Sequence, residues 1–83
     1  MEKMNLNDLT EKIRKIIFRI TEGKVKEISQ DVHLYRDLGI DSIKGIELAV
    51  AIQEELGIQI DDSKINQLTT LKLIVEEVNR ILK

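Results

Sequence analysis

The sequence has no cysteine, and its only aromatic residues are Phe18 and Tyr35. Without cysteine the chain can form no disulfide framework, no thiolate nucleophile and no cysteine-ligated zinc site. With two aromatic residues the core must be mainly aliphatic, and 14 Ile, 10 Leu and 5 Val supply it. A length of 83 residues fits one small domain, since domains commonly run to about 100–150 residues. We therefore expect a single domain over residues 1–83.

Long hydrophobic runs are also absent. No apolar stretch approaches the roughly 20 residues that a membrane-spanning helix needs. Residues 1–9 lack the apolar segment of a signal peptide. The sequence therefore predicts a protein without a membrane span and with a cytoplasmic location.

Residues for conventional catalysis are scarce. The single histidine, His33, has no serine in a nucleophile-elbow pattern to accompany it, and a catalytic triad needs a larger scaffold to hold three groups in register. Asp37 and Asp41 lack the ligand series of a calcium-binding loop. The four glycines form no phosphate-binding cluster. We predict no catalytic residue and no metal site.

The formal net charge of −2 conceals a gradient along the chain. Residues 1–27 carry seven basic and five acidic groups, residues 28–62 carry two and eight, and residues 63–83 carry four and two. An acidic middle repels nucleic acid and favours basic protein partners, through attraction that weakens as salt is raised. The alternative is that these charges only solvate the surface, where single charges contribute little.

Apolar residues recur at helical spacing in three segments. The predicted helices cover about residues 5–21, 42–56 and 70–82, with a short helix at about 62–68 and a long loop at about 22–41. Candidate caps are Asn5 and Gly23 for the first helix, Asp41 or Ser42 and Gly57 for the second, Asp61 or Asp62 for the short one, and Thr69 or Thr70 for the last. The pattern predicts an all-α fold, a small bundle of three longer helices and one short helix.

The predicted second helix carries apolar residues on two opposite sides when its residues are placed about 100° apart. The inner stripe is Leu48, Ala49, Ile52 and Leu56, which carries no charge and should face the core. The outer stripe is Ile43, Ile46 and Val50, interleaved with Glu47 and Glu54. A helix covered on both sides would also be apolar all round, but burying two unpaired carboxylates is costly. We therefore favour an exposed outer stripe that binds a partner.

One segment combines a glycine-permitted turn with a serine at a predicted helix start, Asp37-Leu38-Gly39-Ile40-Asp41-Ser42-Ile43. Here the sequence resembles the acyl carrier proteins, whose hallmark is Asp-Leu-Gly-x-Asp-Ser followed by Leu or Ile. Further matches are Leu34, Glu47-Leu48, Glu54-Glu55-Leu56-Gly57-Ile58 and Thr69-Thr70. The resemblance extends from the first helix to about Leu82.

The resemblance implies a carrier that is not itself an enzyme. Ser42 would be modified by 4′-phosphopantetheine, whose thiol would hold acyl groups as thioesters. Asp41 would help a phosphopantetheinyl transferase bring magnesium and coenzyme A to the hydroxyl. The surface that docks this transferase and the acyl-loading and acyl-processing enzymes would be Ile43, Ile46, Glu47, Val50 and Glu54. We expect a monomer.

Three departures from the family pattern bear on the pathway. Lys44 stands where many fatty-acid carriers have an acidic residue, Gln53 replaces a common Glu, and Asp61 occupies a place where Pro is frequent. Fatty-acid synthesis remains the first interpretation, and a specialised polyketide, peptide or lipid-modification cluster follows closely.

Two alternatives stay open. Gly45 inside the second helix costs about 1 kcal/mol relative to Ala. It allows either the close approach of another helix or the passage of an acyl chain. If Ser42 only caps the helix, the protein is an unmodified helical interaction module, a class of protein without the prosthetic group.

Overall fold

The computed structural model describes residues 5–24 and 27–82. Its helices are α1 (Leu6–Ile20), α2 (Ser42–Leu56), α3 (Asp62–Ile65) and α4 (Leu71–Leu82). The predicted all-α bundle of three longer helices and one short helix is confirmed. No strand forms in the described ranges, where the only β-type pairing is an isolated bridge between His33 and Thr70. Residues 25 and 26 of the predicted long loop, like 1–4 and 83, lie outside the described residues.

Side-chain caps set the starts of three helices. The Asn5 side chain accepts from the N–H of Asp8 at 2.8 Å, Asp61 from Ser63 at 2.9 Å, and Thr70 from Leu73 at 3.1 Å. Each cap satisfies a backbone donor that has no partner within its own helix. Of the alternatives left open by the sequence, Asp61 caps α3 and Thr70 caps α4.

The ends of the helices follow the predicted boundaries with two differences. Gly57 ends α2 in the left-handed conformation at φ +64°, as expected. The predicted cap of α1 is wrong, because Thr21 is its C-cap and Gly23 follows two residues later. The short helix α3 ends at Ile65, whereas the sequence predicted residues 62–68. Beyond Ile65 the N–H groups of residues 67 and 68 bond three residues back, so this stretch forms tight turns and not a continued α-helix.

The core lies where α1 packs against α2 and α4. Its most deeply buried side chains are Leu9, Ile13, Ile16, Ile17, Ile52, Leu71 and Val78. Fully burying one such aliphatic side chain stabilises the fold by about 1.5–3 kcal/mol relative to leaving it exposed. Aliphatic contact therefore holds the bundle together, as the shortage of aromatic residues predicts.

The loop before α2 is tied to two helices. Its Ile28 and Leu34 side chains are buried in the core. The Leu34 N–H donates to the carbonyl of Thr69 at 2.8 Å, just before α4. On α1, the Arg14 Nε–H donates to the carbonyl of Ile28 at 2.7 Å. These anchors fix how the chain approaches the start of α2.

Candidate functional site

The chain enters α2 through a sharp turn at Gly39. The φ of Gly39 is +68°, which glycine adopts without the steric cost that other residues meet. The next residue, Ile40, is buried, and its N–H donates to the carbonyl of Leu34 at 3.0 Å. Because Ile40 is anchored in the core, the two residues that follow stand at the surface, and both are exposed.

Asp41, and not Ser42, is the N-cap of α2. The Asp41 Oδ1 atom accepts from the N–H of Lys44 at 2.8 Å, and its backbone carbonyl accepts from the N–H of Gly45 at 2.8 Å. Ser42 is the first residue of the helix, and its hydroxyl makes no hydrogen bond to another described residue. The cap is therefore complete without the serine, whose exposed hydroxyl is free to react.

The outer stripe of α2 is exposed, as predicted. The exposed fractions are 68% for Ile43, 60% for Ile46 and 44% for Val50. On the opposite side Leu48 and Ile52 are buried. The interpretation that both stripes are covered within the bundle is therefore wrong. The docking role of the outer stripe stays a prediction.

Charged groups border the outer stripe. Glu47 and Glu54 are both exposed, so neither carboxylate bears the burial cost that a covered helix would impose. The Lys44 Nζ atom lies 3.5 Å from Glu47 Oε2, one turn along the helix. Lys44, the positively charged residue nearest to Ser42 in sequence, thus forms an ion pair with Glu47 at the border of the outer stripe.

Gly45 faces the loop and not another helix. A Cβ atom placed on Gly45 would lie 3.3 Å from the hydroxyl oxygen of Tyr35. Of the two alternatives left open for Gly45, the close approach of another helix is wrong, since a loop side chain takes that place. The sequence gives no role to Tyr35, and its only signal is a helical glycine without a turn or helix end to explain it.

Tyr35 and Gly45 stand at the edge of a small apolar cavity of about 20 Å³, room for about one water molecule. The lining residues come from the loop, from α2 and from the segment that runs through α3 to α4: Leu34, Tyr35, Gly45, Leu48, Ala49, Ile52, Ile60, Ile65, Leu68 and Ile74. The cavity backs onto the inner stripe, on the opposite side of α2 from the exposed outer stripe.

Other candidate chemistry is not assembled in the described part of the chain. The Nδ1 atom of His33 accepts from the N–H of Arg36 at 3.1 Å, and the His33 N–H donates to Asp37 Oδ2 at 2.8 Å. His33 thus stabilises its own loop. Across residues 5–24 and 27–82, no group of three or more His, Cys, Asp or Glu residues could hold a metal ion. No helix in those ranges is long and apolar enough to cross a membrane.

A family model described as "Phosphopantetheine attachment site" matches residues 11–78. An acyl carrier protein of Buchnera aphidicola subsp. Schizaphis graminum is 35% identical over 74 residues, which cover 89% of this chain and 94% of that protein. The chain belongs to the phosphopantetheine-binding acyl carrier protein family. A second acyl carrier protein, from Buchnera aphidicola subsp. Acyrthosiphon pisum (strain 5A), is 33% identical over 79 residues, 94% of this chain and 99% of that one.

The fold of an acyl carrier protein is found by structural comparison as well. A solved structure of a Mycobacterium tuberculosis protein assigned to the acyl carrier proteins superposes with a TM-score of 0.80 at 27% identity. The match covers 84% of this chain and 93% of that one. Membership of this family makes the chain a carrier and not an enzyme, and it implies covalently bound 4′-phosphopantetheine.

The residues at the start of α2 fit such a group. An exposed hydroxyl offers an attachment point that needs no local unfolding, and the cap hydrogen bond of Asp41 does not use that hydroxyl. A phosphodiester on the first residue of a helix lies at the positive end of the helix dipole, an arrangement worth about 0.3–1 kcal/mol when exposed. Within α2 the first turn contains no acidic residue, and the neighbouring carboxylate, that of Asp41, is engaged by the N–H of Lys44.

Proposed function

We propose that Ser42 carries the 4′-phosphopantetheine group and that the protein holds acyl intermediates on it as thioesters. This proposal rests on the arrangement at the start of α2. Asp41 makes the cap, and the exposed Ser42 hydroxyl takes no part in it. When bound, the group supplies the thiol that this cysteine-free chain lacks. The protein's own contribution is to present the attachment point on a rigid helix.

Asp41 is proposed to assist the attachment reaction. Its Oδ1 atom is engaged by the N–H of Lys44, whereas Oδ2 makes no hydrogen bond to another described residue. Asp41 directly precedes Ser42 in the chain, and a carboxylate oxygen is a suitable ligand for the magnesium ion that a phosphopantetheinyl transferase brings with coenzyme A. Asp41 would then both cap the helix and orient the metal.

The outer stripe and its border are proposed as the docking surface for the transferase and the acyl-processing enzymes. Ile43, Ile46 and Val50 provide apolar contact beside Ser42, and Glu47 and Glu54 provide charge around it. Charged borders chiefly set the rate and orientation of association, whereas the apolar centre holds the complex. This surface lies on one helix together with the attachment point, so a docked enzyme is brought close to the prosthetic group.

Fatty-acid synthesis is the pathway that we propose first, with a specialised polyketide, peptide or lipid pathway as the runner-up. Two of the three departures have local structural roles and carry little weight in this choice. The Gln53 Oε1 atom accepts from the N–H of Ile60 at 2.7 Å, and Asp61 caps α3. Lys44 alone remains as a surface difference that a partner would meet. The carrier is proposed to act as a monomer in the cytoplasm.

The acyl chain is proposed to enter the bundle beside Gly45. The cavity there is lined by aliphatic side chains but holds only about 20 Å³, so entry requires the lining side chains to move apart. Each methylene that leaves water contributes up to about 0.8 kcal/mol. A medium-length chain can therefore offset the cost of opening a small cavity.

The attachment site is tested by intact mass after coexpression with a broad-specificity transferase and coenzyme A. The parent protein should gain the mass of one phosphopantetheinyl group, and Ser42→Ala should gain none. Ser29→Ala, which removes another exposed serine hydroxyl from the loop, is the matched control and should load like the parent. Because Asp41 makes the cap, Ser42→Ala should change the free energy of unfolding by no more than about 0.5 kcal/mol.

The opposite result would contradict the assignment. Loading of Ser42→Ala at the level of the parent would move the attachment point elsewhere. A parent that never gains the group would favour the alternative, an unmodified helical interaction module that uses the outer stripe alone.

A further inference from the structure

Tyr35 lies directly against the backbone of α2. The three heavy atoms nearest to a Cβ placed on Gly45 all belong to Tyr35: the hydroxyl oxygen at 3.3 Å, Cε1 at 3.8 Å and Cζ at 3.9 Å. A side chain on residue 45 would therefore crowd the phenol. Since Gly45 is not at a helix end and has no positive φ, close approach of the phenol is what the missing side chain permits.

The Tyr35 ring is held in a fixed segment of the loop. The preceding residue, Leu34, is buried and bonded through its N–H to the carbonyl of Thr69. The His33 ring packs edge-on against the Tyr35 ring, with 6.0 Å between the ring centroids and an angle of 60° between the planes. A side chain positioned by these contacts loses little further freedom when its hydroxyl binds something.

The hydroxyl itself is not satisfied by the protein. Within residues 5–24 and 27–82 it makes no hydrogen bond, and it is not fully enclosed. The same cavity is lined by the aliphatic side chains of Leu48 and Ile52, which offer no acceptor. An accessible hydroxyl without a protein partner bonds to water, and it can exchange that water for a polar atom that arrives with a ligand.

The hydroxyl also lies close to the proposed attachment point. Ser42 and Gly45 are three residues apart on α2, and residues at this spacing are neighbours on one face of a helix, with about 5–6 Å between their Cβ positions. A group that is attached to Ser42 and bends toward the cavity passes the contact between the Tyr35 phenol and Gly45. The Tyr35 hydroxyl therefore stands beside the entrance.

We propose that Tyr35 is a positioning residue for the cargo: its hydroxyl donates a hydrogen bond to a carbonyl oxygen on the unit that enters the cavity beside Gly45. This inference rests on the proposed function of Ser42 and the cavity. The carbonyl can belong to an amide of the prosthetic arm or to an oxygenated acyl group, such as a 3-oxoacyl chain. Both sources offer a carbonyl oxygen as the acceptor, and the experiment distinguishes the arm from the acyl group.

The experiment compares Tyr35→Phe with the parent in four states: unloaded, thiol-bearing, octanoyl and 3-oxooctanoyl. Phe keeps the ring and removes only the hydroxyl. Melting temperatures and the amide chemical shifts of the cavity residues are recorded for each state. The parent has one tyrosine and no tryptophan, so its intrinsic fluorescence reports Tyr35 alone.

If the acyl group supplies the carbonyl, the 3-oxooctanoyl form of the parent should melt a few degrees above the octanoyl form, and Tyr35→Phe should abolish that surplus. If the arm supplies it, the parent should already gain stability in the thiol-bearing form, and Tyr35→Phe should lose that gain. Either pattern, with a change in tyrosine fluorescence in the same state of the parent, supports the proposal.

Failure of the Tyr35 role and failure of the cavity give different results. If octanoyl raises the melting temperature but Tyr35→Phe shows every loading shift of the parent, the hydroxyl does nothing and the role of Tyr35 is overturned. If no loaded form, the thiol-bearing form included, shifts the melting temperature or the cavity resonances, neither the arm nor the acyl chain enters, and both proposals fail. Should Tyr35→Phe not fold, Gly45→Ala provides the second variant, because its methyl group would lie 3.3 Å from the hydroxyl oxygen and displace it without removing it. The shift that depends on the carbonyl should be lost, while the octanoyl shift, which reports that the cavity still opens, is kept.

Discussion

The solvent-facing sides of α1 and α2 differ in how their exposed apolar residues are arranged, and the packing of the bundle does not require this difference. On α1 the exposed large apolar residues are Leu6 and Phe18, one at each end of the helix. On α2, Ile43, Ile46 and Val50 follow one another at helical spacing and are exposed. Isolated exposed apolar residues are ordinary, whereas a continuous exposed row indicates an interaction surface. The inner stripe of α2 is buried and serves folding, whereas the exposed outer stripe has the proposed role of binding partners.

The largest expected difference between the inner and outer stripes of α2 is in how much a truncated side chain lowers the stability of the fold. Ile52 on the inner stripe is 1% exposed, so Ile52→Ala should lower the free energy of unfolding by about 2–5 kcal/mol. Ile46 on the outer stripe is 60% exposed, and Ile46→Ala should change it by about 0.5 kcal/mol or less. Urea unfolding followed by circular dichroism measures both. Equal losses would mean that the two stripes do not divide folding from binding.

A smaller effect is expected from the charges that border the outer stripe. Glu47→Lys should slow loading by the transferase several-fold at low salt, because rim charges mainly set the association rate. The defect should shrink as salt is raised, since the Debye length falls from about 10 Å at 0.1 M to about 3 Å at 1 M. Glu76→Lys, at an exposed position on α4, makes the same change in net charge. Equal defects in the two variants at each salt concentration would show that total charge, and not the border of the stripe, matters.

The smallest effect concerns an ionic contact between α3 and α4. The Glu77 side chain, 11% exposed, lies 3.6 Å from Lys64 Nζ and accepts from Arg80 Nε at 3.0 Å. The hydrogen bond from Arg80, with the positive charges of Arg80 and Lys64, lowers the pKa of the Glu77 carboxyl below its ordinary value. A lowered pKa stabilises the folded state above the unfolded-state pKa, and this contribution is lost as pH falls through the folded-state value.

Glu77→Gln should therefore reduce the acid sensitivity of the fold. The parent's melting temperature should fall more steeply than that of Glu77→Gln as the pH is lowered below about 4.5. Melting curves between pH 7 and pH 3 measure this slope, with Glu76→Gln as a control for the loss of one negative charge on the same helix. Parallel slopes in the parent and Glu77→Gln would mean that the contact contributes nothing measurable to folding.

Local patterns predicted most of the fold and the turn that leads into α2, whereas the attachment role of Ser42 comes from the family resemblance and stays a proposal. The periodicity of α1 and α4, the Asn5 cap and the two stripes of α2 depend on neighbouring residues, so the sequence reveals them directly. The end of α3 was not predictable. Over a stretch of a few residues, the propensity to continue a helix differs little from the propensity to form tight turns. The contact between Tyr35 and Gly45 depends on how the loop folds back on α2, and no local rule describes that.

The same limit applies to the departures from the family pattern. Gln53 departs from the family pattern, and from the sequence alone its side chain could be taken as part of the surface that partners meet. In the structure this side chain accepts a hydrogen bond from the N–H of Ile60, seven residues later in the chain. The sequence alone could not distinguish a residue that meets partners from one that closes its own turn. The exposure of Ile46 was predictable only because Glu47 and Glu54 share that side of the helix.

Docking through the exposed apolar row beside Ser42 is tested by the loading rate of Ile46→Ala. Val75→Ala, which truncates a buried aliphatic side chain on α4, is the matched control. We predict that Ile46→Ala melts like the parent but loads more slowly at low and high salt alike, since the loss of apolar contact is not screened. Val75→Ala should melt earlier and, below its melting temperature, load normally. Normal loading of Ile46→Ala at every salt concentration, or its unfolding, would contradict the account.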